Sequence, residues 1–413
     1  MIFGMALMTF ILIIFAVLAG LYMAWNIGAN DVANSMATAV GAKAITLRQA
    51  VLIAAVLNFL GAVFLGSDVK HTLERGIVNV DKIGDAHSIM LGFLASIIAA
   101  AIFVTLSTWK ELPVSTTHAI IGGITGFGLV TGGADVIIWK KLGEVAMSWI
   151  ISPISGAVIA YIVFRSIVHF VFASGKPAEA AKKFGPLFIG LTFFIISLSL
   201  FTKTHLGDVL FTGMNQIMLV SLAVFVVSTI AGIFIVGEMT IGKDYEAVEY
   251  LFKRLQIITS CYVALSHGAN DVANAIAPLS VVLTTALKDT SIVDSNFSYY
   301  LLALGGAGIA AGILTWGYKV IRTLGSKITA LTNTRGFSVD FGTATTVLVA
   351  SRLGLPISTS HTVVGAVIGV GLARGLEAVD LSVVKKIIYS WAFTIPASMA
   401  LSIIIYKGLM IVF

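Results

Sequence analysis

Two nearly identical stretches place carboxylates inside apolar segments of the chain. Asn26–Ser35 reads NIGANDVANS, and Ser266–Ala275 reads SHGANDVANA, 240 residues later. A carboxylate within a membrane-crossing segment costs roughly 2.5–3.5 kcal/mol on insertion scales, so each one needs compensation. The nearest Lys or Arg in the sequence is twelve positions from Asp31 and seventeen from Asp271. A mobile cation or a proton is therefore the remaining local partner.

Asparagines flank each aspartate, one position before it and three positions after it. The glycine three positions before each aspartate is expected to weaken the helix and free carbonyl oxygens, which hard cations prefer as ligands. Broken helices around Na⁺ recur in transporters, whereas hydrogen bonds between helices are the alternative role for the asparagines. The predicted cation-binding residues are Asn30, Asp31, Asn34, Asn270, Asp271 and Asn274, with Na⁺ at Asp31, Asn34, Asp271 and Asn274 and with Gly28 and Gly268 in support.

A second duplicated motif carries hydroxyl side chains. LPVSTTHAIIGGITGFGL at Leu112–Leu129 returns as LPISTSHTVVGAVIGVGL at Leu355–Leu372. Proline disfavours helix at the residue before it, and Ser and Thr are preferred N-caps, so each motif predicts that one helix ends and another begins. The new helix offers free N–H groups, the positive end of its dipole and hydroxyl donors, which suit an oxyanion. The predicted anion-binding residues are Ser115, Thr116, Thr117, Ser358, Thr359 and Ser360, supported by Pro113 and Pro356.

These hydroxyls and the histidines that follow them have alternative roles. Ser and Thr in membrane helices often bond back to their own helix or to a neighbouring one, but two proline-preceded copies favour an anion site. His118 and His361 either donate to the anion or hold the surrounding backbone, and the sequence leaves both roles open.

The composition indicates the elements that position these residues. Of 413 residues, 58% are hydrophobic and only 11% are charged, with a mean hydropathy of +1.00. Soluble domains carry about a quarter charged residues, so the chain is predicted to be an all-α polytopic membrane protein. The net charge of +6 fits basic cytoplasmic loops rather than nucleic-acid binding. The predicted spans are Ile2–Ala24, Ala50–Leu65, Ile89–Leu106, Val145–Phe164, Pro186–Phe201, Val209–Val236, Ile257–Leu287, Tyr299–Val320 and Ile387–Met410.

The chain is internally duplicated. Three blocks recur in the same order at offsets of 240, 243 and about 242 residues, the third being SWIISP at Ser148–Pro153 and SWAFTIP at Ser390–Pro396. This pattern predicts a first repeat over 1–165, a second repeat over 250–413, and connecting spans with a cytoplasmic loop over 166–249.

Loop charges predict that the repeats are inverted. The loop Ser67–His87 has a net charge of −1, while its counterpart Gly317–Asp340 has a net charge of +3. Arg165–Lys183 is basic and is predicted to be cytoplasmic, whereas Lys203–Asp208 and Lys288–Asp294 are poor in basic residues and are predicted to be external. Five crossings then separate the starts of the repeats, so the second is upside down and both termini are external. The predicted fold has about 12 helical segments, including two re-entrant helical hairpins with tips near mid-membrane.

Together the motifs predict a transporter. Cations at the carboxylates would neutralise them and make the adjoining site attractive to a tetrahedral oxyanion, as in a cation/oxyanion symporter. Inverted repeats are typical of alternating access. A passive anion channel and an intramembrane enzyme using Asp31 and Asp271 are the weaker alternatives. No GxxxxGK[ST] motif for ATP hydrolysis and no cluster of His and Cys metal ligands occurs in the sequence.

At these two motifs the chain resembles the PiT family of inorganic phosphate transporters, over nearly its whole length. The resemblance implies uptake of phosphate across the cell membrane driven by Na⁺ or H⁺, without a cofactor or enzymatic activity, often as a homodimer. The resemblance implies that phosphate would bind the hydroxyl residues. The cation would bind Asp31, Asn34, Asp271 and Asn274.

Two observations qualify the resemblance. The long hydrophilic loop of animal members is replaced by the short stretch Gly237–Gln256, and some relatives resemble sulfate permeases, which leaves a proton-coupled phosphate or sulfate permease as an alternative. Gly308 and Gly312 form a GxxxG pair that suits either a dimer contact or packing within one chain.

Overall fold

The computed structural model describes residues 7–66, 77–203, 207, 210–211, 213–240, 243–287, 297–326, 328–352, 357–375 and 378–413. Within these ranges the chain forms fifteen α-helices. No strand occurs there beyond an isolated bridge between Val78 and Ile137.

Six of the helices begin within residues 1–165, the predicted first repeat. They are α1 (Leu7–Asp31), α2 (Ala33–Gly41), α3 (Leu47–Leu65), α4 (Ala86–Trp109), α5 (Thr116–Gly132) and α6 (Trp139–Ile167).

The remaining nine begin within residues 166–413, the predicted connecting region and second repeat. They are α7 (Pro177–Lys203), α8 (Met214–Met239), α9 (Asp244–Asp271), α10 (Ala273–Ala286), α11 (Phe297–Trp316), α12 (Tyr318–Ser326), α13 (Asn333–Arg352), α14 (Thr359–Leu372) and α15 (Leu381–Val412).

The prediction of a polytopic helical membrane protein is confirmed. Nine helical segments among the described residues are long and apolar enough to cross a bilayer. The first segment extends over Leu7–Gly41 rather than ending at Ala24, because the polar residues beyond Ala24 are buried and bonded inside the protein. The number of helices exceeds the predicted twelve because Val32 separates α1 from α2, Val272 separates α9 from α10, and α12 is an additional short helix.

Residues at the helix ends explain several boundaries. The Thr46 hydroxyl accepts from the Gln49 backbone N–H, and the Gln49 side chain accepts from the Thr46 N–H, so α3 begins with a capping box. Asp85 and Asp380 cap α4 and α15 in the same way, by accepting backbone N–H groups. The break expected near Leu112 lies between Trp109 and Thr116.

Close glycine contacts join helices of the two halves of the chain in a reciprocal way. A Cβ at Gly28 would lie 1.9 Å from the backbone oxygen of Ile309, and one at Gly268 would lie 2.1 Å from that of Asn58. Helix α1 therefore packs directly on α11, and α9 packs in the same way on α3. The glycines at 28 and 268 lie inside helices, so their role is close packing and not the predicted weakening of the helix.

Helices α4 and α5 form an antiparallel pair, here called the first hairpin. Gly92 contacts Phe127, and Ser96 contacts Gly123, so residue numbers rise along one helix as they fall along the other. Helices α13 and α14, here called the second hairpin, also pack on each other. Each hairpin packs against the long last helix of the other repeat: α5 on α15 and α14 on α6.

Candidate functional site

Both motif aspartates lie beside one histidine. His267 Nε2 is 2.7 Å from Asp271 Oδ2 and 3.9 Å from Asp31 Oδ2. All three side chains are at most 2% exposed. Candidate ligand atoms from the three residues lie within 4.8 Å of one another, close enough to surround one metal ion. The structure therefore brings together two carboxylates that are 240 positions apart in the sequence.

Asp31 also contacts the serine–threonine blocks of both repeats. The Thr116 hydroxyl donates to Asp31 Oδ2 at 2.6 Å, and the Ser360 hydroxyl donates to Asp31 Oδ1 at 3.4 Å. Ser360 also donates to the backbone oxygen of Val114 at 3.1 Å. The beginnings of α5 and α14 thus meet at Asp31.

The asparagine of each motif bonds to the hydroxyl block of the other repeat. Asn34 Nδ2 donates to Ser360 Oγ at 2.8 Å and to Thr359 Oγ1 at 3.5 Å. Because the amide nitrogen is the donor, Oδ1 is the atom of Asn34 that can ligate a cation.

Asn274 makes the reciprocal contact. Its Nδ2 donates to Thr117 Oγ1 at 3.1 Å and to Thr116 Oγ1 at 3.3 Å. Four of the six predicted hydroxyl residues thereby contact a predicted cation ligand directly: Thr116, Thr117, Thr359 and Ser360.

The two remaining asparagines have different surroundings. Asn30 holds the tip of the first hairpin, because its Nδ2 donates to Thr108 Oγ1 at 2.9 Å and to the Leu112 oxygen at 3.1 Å. Its Oδ1 accepts from the Val114 N–H at 3.1 Å. Asn270 Nδ2 instead donates to Asp271 Oδ1 at 2.7 Å. The structure thus favours a positioning role for Asn30 and leaves Asn270 beside the carboxylate.

Ser115 and Ser358 are the N-caps of α5 and α14. Each hydroxyl oxygen accepts the backbone N–H three residues later, from His118 at 3.2 Å and from His361 at 3.3 Å. Both serines are 2% exposed. Pro113 lies buried in the tip of the first hairpin, while Leu355 and Pro356 lie outside the described residues. Two helix N-termini therefore open onto the site, with their dipoles favouring an anion.

The two histidines of the serine–threonine motifs contact each other away from the carboxylates. Their rings meet edge to face, with centroids 4.9 Å apart. Trp149 Nε1 donates to His118 Nε2 at 3.2 Å, and His361 stacks on Trp391 at 3.7 Å. These contacts favour the structural role that the sequence left open.

The interruption of each motif helix is small. Val32 and Val272 keep helical backbone angles, with φ near −55° and ψ near −30°. Met36 N–H still bonds to the Val32 oxygen at 3.1 Å. The oxygens available to a cation therefore come mainly from side chains rather than from a long unwound backbone.

Sequence reasoning missed His267 and its partner Asn58. His267 Nδ1 donates to Asn58 Oδ1 at 2.6 Å. The repeat offset contained a signal, because the position equivalent to His267 is Ile27 in the first motif. The equivalent of Asn58 in the reciprocal glycine contacts is Ile309. One repeat thus has a buried polar pair where the other has two isoleucines.

By sequence, Asp340 counts only as a charge of the loop Gly317–Asp340, whereas the structure shows it buried within helix α13. Thr38 of α2 donates to its Oδ1 at 2.7 Å, and Ser260 and Thr259 of α9 donate to its Oδ2 at 2.5 and 3.4 Å. Asp340 is 2% exposed. It forms no ion pair with any Lys, Arg or His in the described part of the chain. Its surroundings are hydroxyls contributed by two other helices.

The donor set fits a hard monovalent cation beside an oxyanion. Carboxylate and amide oxygens ligate hard cations, and hydroxyls with two helix N-termini bind oxyanions. Apolar spans built around such a buried polar centre define a multi-pass membrane protein with a candidate ion site.

Comparison with known proteins specifies this class. A family model described as the phosphate transporter family matches residues 27–402. A Pyrococcus furiosus protein named as a candidate phosphate permease is 48% identical over 98% of both chains. The chloroplastic inorganic phosphate transporter 2-1 of Arabidopsis thaliana is 40% identical over 97% of this chain and 73% of its own length. The chain belongs to the phosphate transporter family, as the motif resemblance predicted.

A solved structure agrees with this assignment. The protein titled the sodium-dependent phosphate transporter is similar over 97% of this chain and 100% of its own, with 46% identity and a TM-score of 0.87. The family and its named relatives are transporters and permeases rather than enzymes.

Proposed function

We propose that the protein is a secondary active symporter that moves inorganic phosphate together with Na⁺ by alternating access. The observation that carries the proposal is the convergence of both aspartates and both serine–threonine blocks on one buried site. The sodium-dependent phosphate transporter, at 46% identity, supports Na⁺ as the coupling ion. Na⁺ would bind Asp31, Asn34, Asp271 and Asn274, and phosphate would bind residues 115–117 and 358–360.

Shared hydrogen bonds suggest how the two fluxes are coupled. Thr116 and Ser360 donate to Asp31, and the same hydroxyls would be needed by phosphate. Na⁺ at Asp31 would satisfy the carboxylate and allow these hydroxyls to turn toward the anion. Without Na⁺, phosphate would face two carboxylates, and like charges in a low-dielectric site repel strongly. Phosphate binding should therefore require prior cation binding.

Alternating access would use two inverted repeats, 1–165 and 250–413, joined by 166–249. The reciprocal contacts of α5 with α15 and of α14 with α6 support this arrangement. Gly122 and Gly126 contact Ile395 and Met399 in rising order, so α5 runs parallel to α15. The contacts between α14 and α6 also rise together. If α6 and α15 each start on the side where the preceding hairpin ends and then cross the membrane, α6 runs antiparallel to α5, and α15 runs antiparallel to α14. Because α5 is parallel to α15 and α14 is parallel to α6, the two hairpins then enter from opposite sides.

The length of α14 supports a re-entrant second hairpin. Helix α14 contains 14 residues, which span about 21 Å. The hydrocarbon core is about 30 Å thick, so α14 is too short to cross it alone. Its start at the central site supports a tip within the membrane, with the hairpin base at one surface.

A proton-coupled phosphate or sulfate permease is the second candidate, because a buried carboxylate can carry a proton instead of Na⁺. A passive anion channel fits less well, since Asp31 and Asp271 would repel the anion. We further propose placement in the cell membrane with both termini external and assembly as a homodimer. Gly308 and Gly312 do not support the dimer, because Gly312 packs inside the chain against Trp25.

Labelled phosphate uptake into proteoliposomes tests the function. Uptake is measured with and without an inward Na⁺ gradient, at two pH values, and again with sulfate as competitor. The expected result is uptake that follows the Na⁺ gradient at both pH values. Uptake that changes with pH but not with the Na⁺ gradient would assign proton coupling. Uptake that changes with neither would contradict symport.

A further inference from the structure

Two arginines converge on one backbone oxygen at the base of the second hairpin. Arg335 in the first turn of α13 donates through Nη1 to the Ala330 oxygen at 2.9 Å. Arg374, just after α14, donates through Nη1 to the same oxygen at 3.4 Å and to Thr329 Oγ1 at 3.3 Å. The two guanidinium groups are therefore held side by side at the end of the hairpin opposite its tip.

Among the residues that the structure describes, neither positive charge has a carboxylate partner. Neither arginine forms an ion pair among the described residues. The nearby Glu249 is engaged elsewhere, because its carboxylate accepts the Thr334 backbone N–H at 3.1 Å and the Thr334 hydroxyl at 2.7 Å, at the start of α13. The Arg335 Nε atom is buried without a hydrogen-bond partner.

A structural role accounts for Arg335, whose Cζ lies 6.0 Å from the centroid of the Phe164 ring, but it does not account for the exposed Arg374 beside it. One arginine would satisfy the Ala330 oxygen, and a second adds like-charge repulsion. The first hairpin forms without such a pair, since the positions equivalent to Arg335 and Arg374 at the offset of 243 are Gly92 and Thr131. The arginines are therefore dispensable for making a hairpin of this type.

The chemistry of the pair matches a phosphate group. A guanidinium has five N–H donors in a planar fork, and each arginine uses only one of its nitrogens in the contacts above. Side-by-side guanidinium groups bind phosphate oxygens in bidentate fashion. The Thr329 hydroxyl, which accepts from Arg374, can donate its own proton to the same anion.

We propose that Arg335, Arg374 and Thr329 form a second oxyanion site, for phosphate or a phosphate ester, at the base of the second hairpin. The topology of the proposed function places this base on the cytoplasmic side, so the side on which the site acts rests on that function. Inorganic phosphate released inward would meet the site there. The phosphodiester of an anionic lipid offers the same oxygens from the adjoining membrane surface.

Equilibrium binding distinguishes these sources. Labelled inorganic phosphate is titrated onto the purified full-length protein in saturating Na⁺, and lipid phosphorus is counted after exchange into micelles containing phosphatidylglycerol. Wild type is compared with Arg374→Gln, Arg374→Lys and the control Arg322→Gln, which changes an arginine of α12 that stacks over Tyr318 at 5.9 Å. Arg374 is exposed, so its replacement should leave the fold intact.

A soluble oxyanion predicts two phosphate-binding classes in wild type. Arg374→Gln should weaken phosphate binding only in the weaker class, by about tenfold or more. The affinity of Arg374→Lys for that class should lie between those of wild type and Arg374→Gln. Arg322→Gln should match wild type. A lipid ligand predicts instead that Arg374→Gln retains one fewer phosphatidylglycerol per chain. If Arg374→Gln equals Arg322→Gln in both measurements, the second site is refuted. Absence of the tight, Na⁺-dependent class in wild type would refute the proposed function instead.

Discussion

At the scale of single residues, a few hydrogen bonds shared by the same polar side chains hold the site together. Asp31 accepts from hydroxyls of both repeats, and Asn34 and Asn274 donate to those same blocks. Each polar side chain thus serves packing in the structure and would serve ion binding during transport. This double use makes isosteric substitutions informative, since they remove a charge or a hydroxyl while preserving shape.

Asp31→Asn and Asp271→Asn are expected to reduce Na⁺-driven phosphate uptake at least about a hundredfold, because the amide removes the charge that attracts the cation. Proteoliposome uptake at matched protein content provides the measurement. Ser96→Ala is the control, because the Ser96 hydroxyl bonds only to the Gly92 oxygen of its own helix. Wild-type uptake by both aspartate variants would disprove the cation assignment.

Thr116→Val is expected to raise the half-saturating phosphate concentration by about tenfold or more, since each hydrogen bond to a charged group contributes about 1.5–3 kcal/mol. The control is Thr125→Val on the same helix, whose hydroxyl bonds to the Ile121 oxygen. Uptake kinetics at saturating Na⁺ give the comparison. Equal half-saturation for the two variants would remove Thr116 from the phosphate site.

At the scale of helices, close backbone contacts and a buried carboxylate set the positions of the motif helices. Helices α1 and α9 rest on α11 and α3 through glycine, and Asp340 joins α2, α9 and α13 through hydroxyls. The functional side chains are therefore precise because whole helices are fixed against one another, and small changes in these contacts should displace them.

Gly28→Ala and Gly268→Ala are expected to destabilise the protein by about 1–3 kcal/mol or more, since the new Cβ would overlap a backbone oxygen that cannot easily move. Gly143→Ala is the control, because no atom lies within 4 Å of its Cβ position, and helix propensity alone should stabilise it by up to about 1 kcal/mol. Thermal denaturation in detergent gives the ranking. Equal stability of all three variants would contradict the packing role.

Ser260→Ala is expected to cost about 1.5–3 kcal/mol, because its hydroxyl bonds to the buried Asp340 carboxylate at 2.5 Å. Ser338→Ala removes an equally buried hydroxyl that bonds only to the Thr334 oxygen of its own helix, and it should cost less than about 1 kcal/mol. Denaturation curves in the same micelles test the difference. A cost for Ser338→Ala equal to that for Ser260→Ala would show that the carboxylate contact adds no stability.

At the scale of the whole molecule, inversion of the repeats predicts that the hairpin bases lie on opposite sides of the membrane. In a Cys261→Ser background, a cysteine at Ala134 should react with an impermeant maleimide in intact cells. A cysteine at Ala373 should react only after permeabilisation. These residues follow α5 and α14, respectively. Labelling of both cysteines from the same side would exclude inverted topology.

The sequence alone predicted the helical membrane fold, the duplication, the family and most of the polar residues at the site. Hydropathy and motif identity are local properties, and the cost of burying Asp31 or Asp271 is visible without coordinates. The start of a new helix within each serine–threonine block was likewise readable from the proline and hydroxyl pattern.

Only the tertiary structure revealed what depends on contacts between distant segments. It placed His267 between the two aspartates, bonded it to Asn58, and surrounded Asp340 with hydroxyls from other helices. It also showed that Gly28 serves packing rather than a helix break. Each of these roles depends on the side chain that another helix brings into contact, and no local periodicity encodes that partner.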